Sequence, residues 1–317
     1  MRRVFYALLI AAMPVQAATA SVDILAALKS LQADDARVLA IGYRLATSNA
    51  PFCQDALPAS GLLLLDSRGF NRPDEVRAAL GITGDFAVEA VAPGSPADKA
   101  GVKPWAEVLA LDGQQLGLLP ASRVNDFARL VLIHDRLDAA LSAKGKVILG
   151  LPGVTVELAG TPACRSRYEL LTEGKGAAAD GKRVRISRAL LNMARSDHEA
   201  AFVIAHELAH NVLAHPSTKG RKASAIRLTE READRLSLWL MANAGFDPLV
   251  APEFLRRWGS KGLAALFTAP THDRAETRAK LIEQELAVLT GTAPGDHELR
   301  DWRSRFSPDR SSRQKAL

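Results

Sequence analysis

His206-Glu207-Leu208-Ala209-His210 is the segment whose residue types and spacing could do chemistry. Two imidazoles four residues apart on a helix share one face, so both can reach a single metal ion. Glu207 stands beside the first of them, where its carboxylate can hold a water molecule bound to that ion. The pattern works only on a helix, and the flanking sequence supplies one. Ser196-Asp197-His198-Glu199 is a capping box, with Ser196 as N-cap. Ala200, Val203, Ile204, Leu208 and Val212 then give an apolar stripe at helical spacing.

A catalytic zinc needs a third protein ligand and one open position. The metzincin pattern would place Gly at 213 and His at 216, but this chain has Leu213 and Pro216. His215 falls one place off and reads as a surface histidine or as one that supports a ligand. A second helical run, Thr229-Glu230-Arg231-Glu232-Ala233-Asp234, offers the better candidate. Glu230 and Asp234 are again four apart on one face, so Glu230 can ligate while Asp234 hydrogen-bonds a ligand imidazole. This helix runs to about Ala244 and stops at Gly245, with Asp247-Pro248 beyond.

Other chemistries find little support. Gly176 to Lys182 has phosphate-loop spacing, but Arg183 replaces the Ser/Thr and a strand follows where a helix should. No G-x-S-x-G occurs, which argues against a serine hydrolase of that type. The 317 residues, 48% hydrophobic and 24% charged, suit a globular chain of roughly two domains. No apolar run reaches the length needed to span a bilayer, so no integral membrane span is expected.

The elements that must position the site divide the chain. Arg2 and Arg3, the apolar stretch Val4 to Ala12, and small-residue sites at Ala17 and Ala20 read as an export signal over 1–20. The expected location is therefore periplasmic or secreted. Losing that signal lowers the net charge from +6 to +4, and residues 300–317 alone carry +4. The basic balance thus reports a tail, expected to be solvated, and not a nucleic-acid-binding face. Helices are expected over 21–56, where Leu28, Leu31, Val38, Ile41 and Leu45 recur at helical spacing. Over 61–160 short apolar runs alternate with Gly and Pro turns, which reads as a small β-rich module. From 165 to 295 the chain turns helical again apart from Val184 to Ile186, a strand that either pairs with substrate or lies within a core sheet.

Two resemblances follow from these residues. Gly84-Asp85-Phe86-Ala87-Val88, Pro93-Gly94-Ser95-Pro96-Ala97, Ala100-Gly101-Val102-Lys103-Pro104 and Leu111-Asp112-Gly113 make the module resemble a PDZ domain, with Trp105-Ala106 where such domains usually carry Gly-Asp. Its peptide-binding residues are not identifiable. Residues 165–290 resemble the HtpX-like, CAAX-prenyl-protease-type zinc metallopeptidases, family M48 of the gluzincins. The pieces that match are His206-Glu207-x-x-His210, Glu230-x-x-Ala233-Asp234, and Thr271-His272 with Arg278.

The resemblance implies an α+β fold: a mostly helical peptidase core with a small edge sheet, interrupted by the PDZ-like insert. It implies one Zn2+ per chain on His206, His210 and Glu230, Glu207 as general base, and Asp234 supporting a ligand. It also implies His272 near the metal as oxyanion stabiliser or reversible ligand, although Asp273 follows where Pro is usual. The expected function is an exported metalloendopeptidase acting on unfolded or misassembled polypeptides in protein quality control. The alternative is a zinc-containing peptide-binding or chaperone-like protein with little or no proteolytic activity. Cys53 and Cys164 flank the module, and in an oxidising compartment their pairing would close its base; two buried free thiols are the other reading.

Overall fold

The computed structural model describes residues 15–120, 123–215, 217–260, 273–291 and 299–306, with side chains from Asp23 onward, Ser260 excepted. Residues 1–14 of the expected export signal lie outside that set. Helical spacing in the first segment resolves as one helix, α1 (Val15–Asn49). Its two faces do different work. Val38, Ile41 and Leu45 enter the larger apolar core, while Leu39 packs with Leu63, Ala90 and Ala92 of the inserted module. No helix among the described residues is long and apolar enough to cross a membrane.

The chain then enters the module. A neck strand β1 (Ala56–Ala59) leads into β2 (Leu62–Asp66), α2 (Pro73–Leu80), β3 (Phe86–Val91) and the short α3 (Pro96–Lys99). β2 and β3 pair antiparallel, with a register shift between Leu63 and Leu64. Ser95 caps α3 by accepting from Asp98 N. Next come β4 (Ala110–Leu111), β5 (Gln114–Gln115), α4 (Ala128–Lys144), β6 (Lys146–Leu151) and β7 (Val154–Ala159), with the strands ordered β5-β4-β6-β7. Asp112 and Gly113 both have positive φ, 49° and 79°, which gives the β4–β5 hairpin the twist it needs. Trp105 takes φ 65° at the position where the resemblance leads one to expect Gly-Asp. The backbone conformation a glycine would adopt freely is thus kept by a side chain that pays about 1 kcal/mol or more for it.

The module differs from its β-rich reading in one large element. α4 is 17 residues long and sends Ile133, Leu137 and Leu141 into the core formed with Leu64, Phe86, Val88, Leu149 and Leu158. Those three positions have i, i+4, i+8 spacing, the helical signature that the neighbouring short strands dilute.

β8 (Thr161–Cys164) closes the insert by pairing antiparallel with β1, placing Ala56 opposite Cys164. A disulfide joins Cys53 to Cys164, with Cα atoms 5.4 Å apart across a sequence separation of 111. The base of the module is therefore a two-strand neck locked covalently. Replacing both cysteines by Ser should lower the unfolding free energy by about 2–5 kcal/mol. Denaturant titration without reductant measures this; a loss under about 0.5 kcal/mol would show that the link does not hold the fold.

The second half begins with a three-stranded sheet built from β9 (Arg167–Leu171), β10 (Ala177–Ala179) and β11 (Arg183–Ser187). The order is β10-β11-β9, with β11 antiparallel to β10 and parallel to β9. The strand expected at Val184 to Ile186 is therefore the middle one, and both of its edges are taken. After the short α5 (Arg188–Leu191), the helices α6 (Asp197–Val212), α7 (Ala223–Asn243), α8 (Ala251–Ser260) and α9 (Ala275–Gly291) complete the core. Phe202, Ile204 and Leu208 of α6 pack with Leu236 and Trp239 of α7, Phe254 of α8 and Ile282 of α9. Each such side chain contributes roughly 1.5–3 kcal/mol when fully buried.

The basic tail needs correction at its start. Trp302 and Phe306 are buried in this same core. Trp302 Nε1 donates to Asn49 Oδ1 at 3.1 Å, and Asn243 Nδ2 donates to the same oxygen at 2.9 Å. Asn49 thus ties the ends of α1 and α7 to the C-terminal segment. Two aromatics offset the solvation that the surrounding arginines would favour; residues 307–317 lie outside the described set.

Candidate active site

Local sequence explains why α6 forms where it does. Ser196 Oγ accepts from Glu199 N at 3.3 Å, as the capping box requires. The reciprocal half is diverted: Glu199 Oε2 accepts from Arg195 N at 2.8 Å and meets Arg257 Nη2 at 2.5 Å. The helix start is thereby anchored to α8. Ala205 and Ala209 on α6 and Ala233 on α7 are fully buried small residues, which lets the two helices lie close. Asn211 fastens α6 to the sheet, donating to Ser166 Oγ and Arg183 O and accepting from Gly181 N.

This crossing brings the three expected ligands together. His206 Nε2 and His210 Nε2 are 3.2 Å apart. Glu230 Oε2 lies 3.3 Å from His206 Nε2, and Glu230 Oε1 lies 3.6 Å from His210 Nε2. Ligands about 2.0–2.1 Å from a tetrahedral zinc stand roughly 3.3–3.4 Å from one another. One imidazole is nearest to Oε2 of Glu230 and the other to Oε1, so the three side chains converge on a space of about that size with either carboxylate oxygen turned to it, and their residue types are those of a catalytic zinc site.

Asp234 takes the other side of His206, with Oδ1 3.0 Å from Nδ1. It is itself held by Arg278 of α9, whose Nε donates to Oδ2 at 2.8 Å and Nη2 to Oδ1 at 2.6 Å. Glu207 is buried next to His206 on α6. Thr271 and His272 lie outside the described residues. Asp273, which follows them, is gripped by Arg231 of α7 at 2.6 and 3.1 Å.

Apart from any ion, the surroundings of the imidazoles are strongly negative. Burial opposes charge on His206, yet the Asp234 and Glu230 carboxylates, as acceptors beside its ring, lift its pKa to about 10. Burial and then the charge on His206 push His210 down to about 3. Burial also works against an ionised Asp234, but Arg278 and His206 bring it down to about 2. Among the named groups, three buried carboxylates (Glu207, Glu230, Asp234) face one buried guanidinium, Arg278. A divalent cation would balance them, so the residues present fit the ion.

For two contributors the sequence offered the residue but not its contact. Arg278 is a matched residue in the resemblance, but nothing in its local run of helix formers tells that it is buried as the counter-ion of Asp234. His215 is close to His210, a contact that depends on how the chain leaves α6.

Comparison with known proteins finds similarity over part of this chain. The profile of peptidase family M48 matches residues 175–224, which include His206-Glu207-Leu208-Ala209-His210 and stop short of Glu230. The mitochondrial metalloendopeptidase OMA1 of Arabidopsis thaliana is 33% identical over a stretch covering 30% of this chain and 26% of that protein. This chain thus spans about a quarter of the length of the relative it matches. No solved structure matches. The matched segment is similar to part of a metalloendopeptidase.

Proposed function

We propose that the chain is an exported, zinc-dependent metalloendopeptidase of the HtpX-like type, with a PDZ-like module inserted behind a disulfide-locked neck. The observation that carries this reading is the convergence of His206, His210 and Glu230, with donor atoms within 4.8 Å of one another, beside a buried Glu207. Zinc, when bound, supplies a Lewis acid that makes a water molecule nucleophilic near neutral pH and polarises the scissile carbonyl. Glu207 accepts the proton of the attacking water and delivers it to the leaving amine. His206 and His210 present Nε2 to the ion, and Glu230 supplies the anionic ligand. Asp234, fixed by Arg278, sets the orientation of the His206 ring.

Substrate is proposed to be polypeptide in extended form. β10 occupies the outer position of its sheet and packs on α6, and its outer edge pairs with no strand among the described residues, which leaves it for a peptide backbone. This replaces β11, whose two edges are already paired. The disulfide supports an oxidising destination. Support for the PDZ-like reading comes from the Ser95-capped α3, the left-handed Trp105 and the Asp112-Gly113 hairpin. One backbone donor of β2, Leu64 N, already bonds to His134 Nε2 of α4 at 3.4 Å, so that strand is not a wholly open edge.

Metal removal tests the reading. Dialysis against a strong chelator should reduce cleavage of a reduced, unfolded protein by at least about 100-fold, and one equivalent of Zn2+ should restore it. Undiminished cleavage by metal-free protein would rule out the zinc reading. Stoichiometric zinc without cleavage of any unfolded substrate would favour the peptide-binding alternative.

A further inference from the structure

The way α6 ends places a third histidine against the site. Ala214 adopts φ 53°, the left-handed conformation usually left to glycine. Ala214 N donates to Asn211 O at 3.1 Å and His215 N donates to His210 O at 2.9 Å. These two bonds form a Schellman cap, in which the residue after the left-handed one folds back over the last turn. That contact is commonly apolar. Here it joins two imidazoles: His215 Nδ1 lies 2.9 Å from His210 Nδ1, with the rings edge to face at 4.9 Å. On its far side, His215 Nε2 lies 3.2 Å from Glu232 Oε2. The side chain is only 8% exposed, whereas that of Glu232 is 55% exposed.

The direction of these hydrogen bonds follows from the role of His210. Two ring nitrogens at 2.9 Å cannot both present lone pairs, so one of them carries hydrogen. A neutral His210 that offers its Nε2 lone pair to a cation keeps its hydrogen on Nδ1 and must donate. His215 Nδ1 then accepts, its own hydrogen sits on Nε2, and that hydrogen points to Glu232. We propose that His215 is a positioning residue of the metal site, which fixes the tautomer and ring orientation of His210 and is itself oriented by Glu232. This rests on the reading of His206, His210 and Glu230 as ligands. Both imidazoles are then backed by a carboxylate, His206 directly by Asp234 and His210 through His215. The left-handed alanine is the local cost of folding that relay over the helix end.

The test is a zinc competition titration against a chromophoric chelator, using the full chain and three variants. His215→Leu removes the acceptor at similar bulk and should weaken zinc binding about 10–100-fold. His215→Asn retains an acceptor oxygen near the position of Nδ1 and should stay within about threefold of wild type. Glu232→Gln, a change at a half-exposed carboxylate that leaves folding intact, should weaken binding several-fold. Visible spectra of the cobalt-substituted proteins should show bands displaced in His215→Leu and restored in His215→Asn. Thermal unfolding of the metal-free proteins identifies any variant that fails to fold, in which case the His215→Asn and Glu232→Gln results decide. Equal zinc affinity in wild type and His215→Leu would overturn the relay alone. So would equal weakening by Leu and Asn, which would mean that ring bulk matters and not the acceptor. Absence of zinc binding in wild type would instead overturn the function on which the relay rests.

Discussion

Glu207→Gln should abolish measurable peptide-bond hydrolysis, a loss of about 10^3-fold or more, while the protein still folds and still binds zinc. The size follows from the task. General base and general acid steps contribute roughly 10^2–10^4-fold, and this one side chain is asked to do both. An amide has nearly the shape of the carboxylate, so packing around position 207 is preserved. It cannot accept a proton, so attack and amine departure both lose their carrier. Turnover of an unfolded substrate, measured beside the zinc content of the same preparation, separates lost chemistry from lost metal. Retention of more than about a tenth of wild-type activity would remove Glu207 from the mechanism.

Arg278→Met should have the largest effect on stability. The guanidinium and the Asp234 carboxylate are bound through two hydrogen bonds, and both side chains are nearly completely buried. Removing one partner leaves an uncompensated buried charge, which costs about 3–5 kcal/mol. Asp234 also loses the group that holds it against His206, so zinc affinity should fall about 10–100-fold where the protein still folds. Denaturant unfolding of the metal-free variant gives the first quantity and chelator competition the second. A stability change below about 1 kcal/mol would mean that the pair is not the buried ion pair described.

What could be read in the sequence was mostly local. The α6 start follows from Ser196 and Glu199, and the coordinating face follows from four-residue spacing in His206–His210 and Glu230–Asp234. The strands at 86–91, 147–151 and 154–158 follow from short apolar runs between turns, and the Asp112-Gly113 hairpin from its own turn chemistry. What could not be read depends on partners far away in the chain. β11 looks the same in sequence whether it is an edge or a centre, because pairing with β9 and β10 is set by the fold. Trp302 and Phe306 sit among arginines, and their burial appears only once Asn49 and Trp239 are in place. Arg278 matches the family pattern, but its partner Asp234, 44 residues earlier, appears only in the fold. The helix α4 is a different case: its i, i+4, i+8 signal at Ile133, Leu137 and Leu141 was present but outweighed by the surrounding strands.

The central claim is that His206, His210 and Glu230 close on one zinc ion. Anomalous diffraction at the zinc absorption edge, from crystals of the zinc-loaded protein, tests it most directly. The account predicts one strong peak within about 2.0–2.2 Å of both Nε2 atoms and a Glu230 carboxylate oxygen. A zinc-loaded crystal with no peak there, or with the ion held by other side chains, would contradict it.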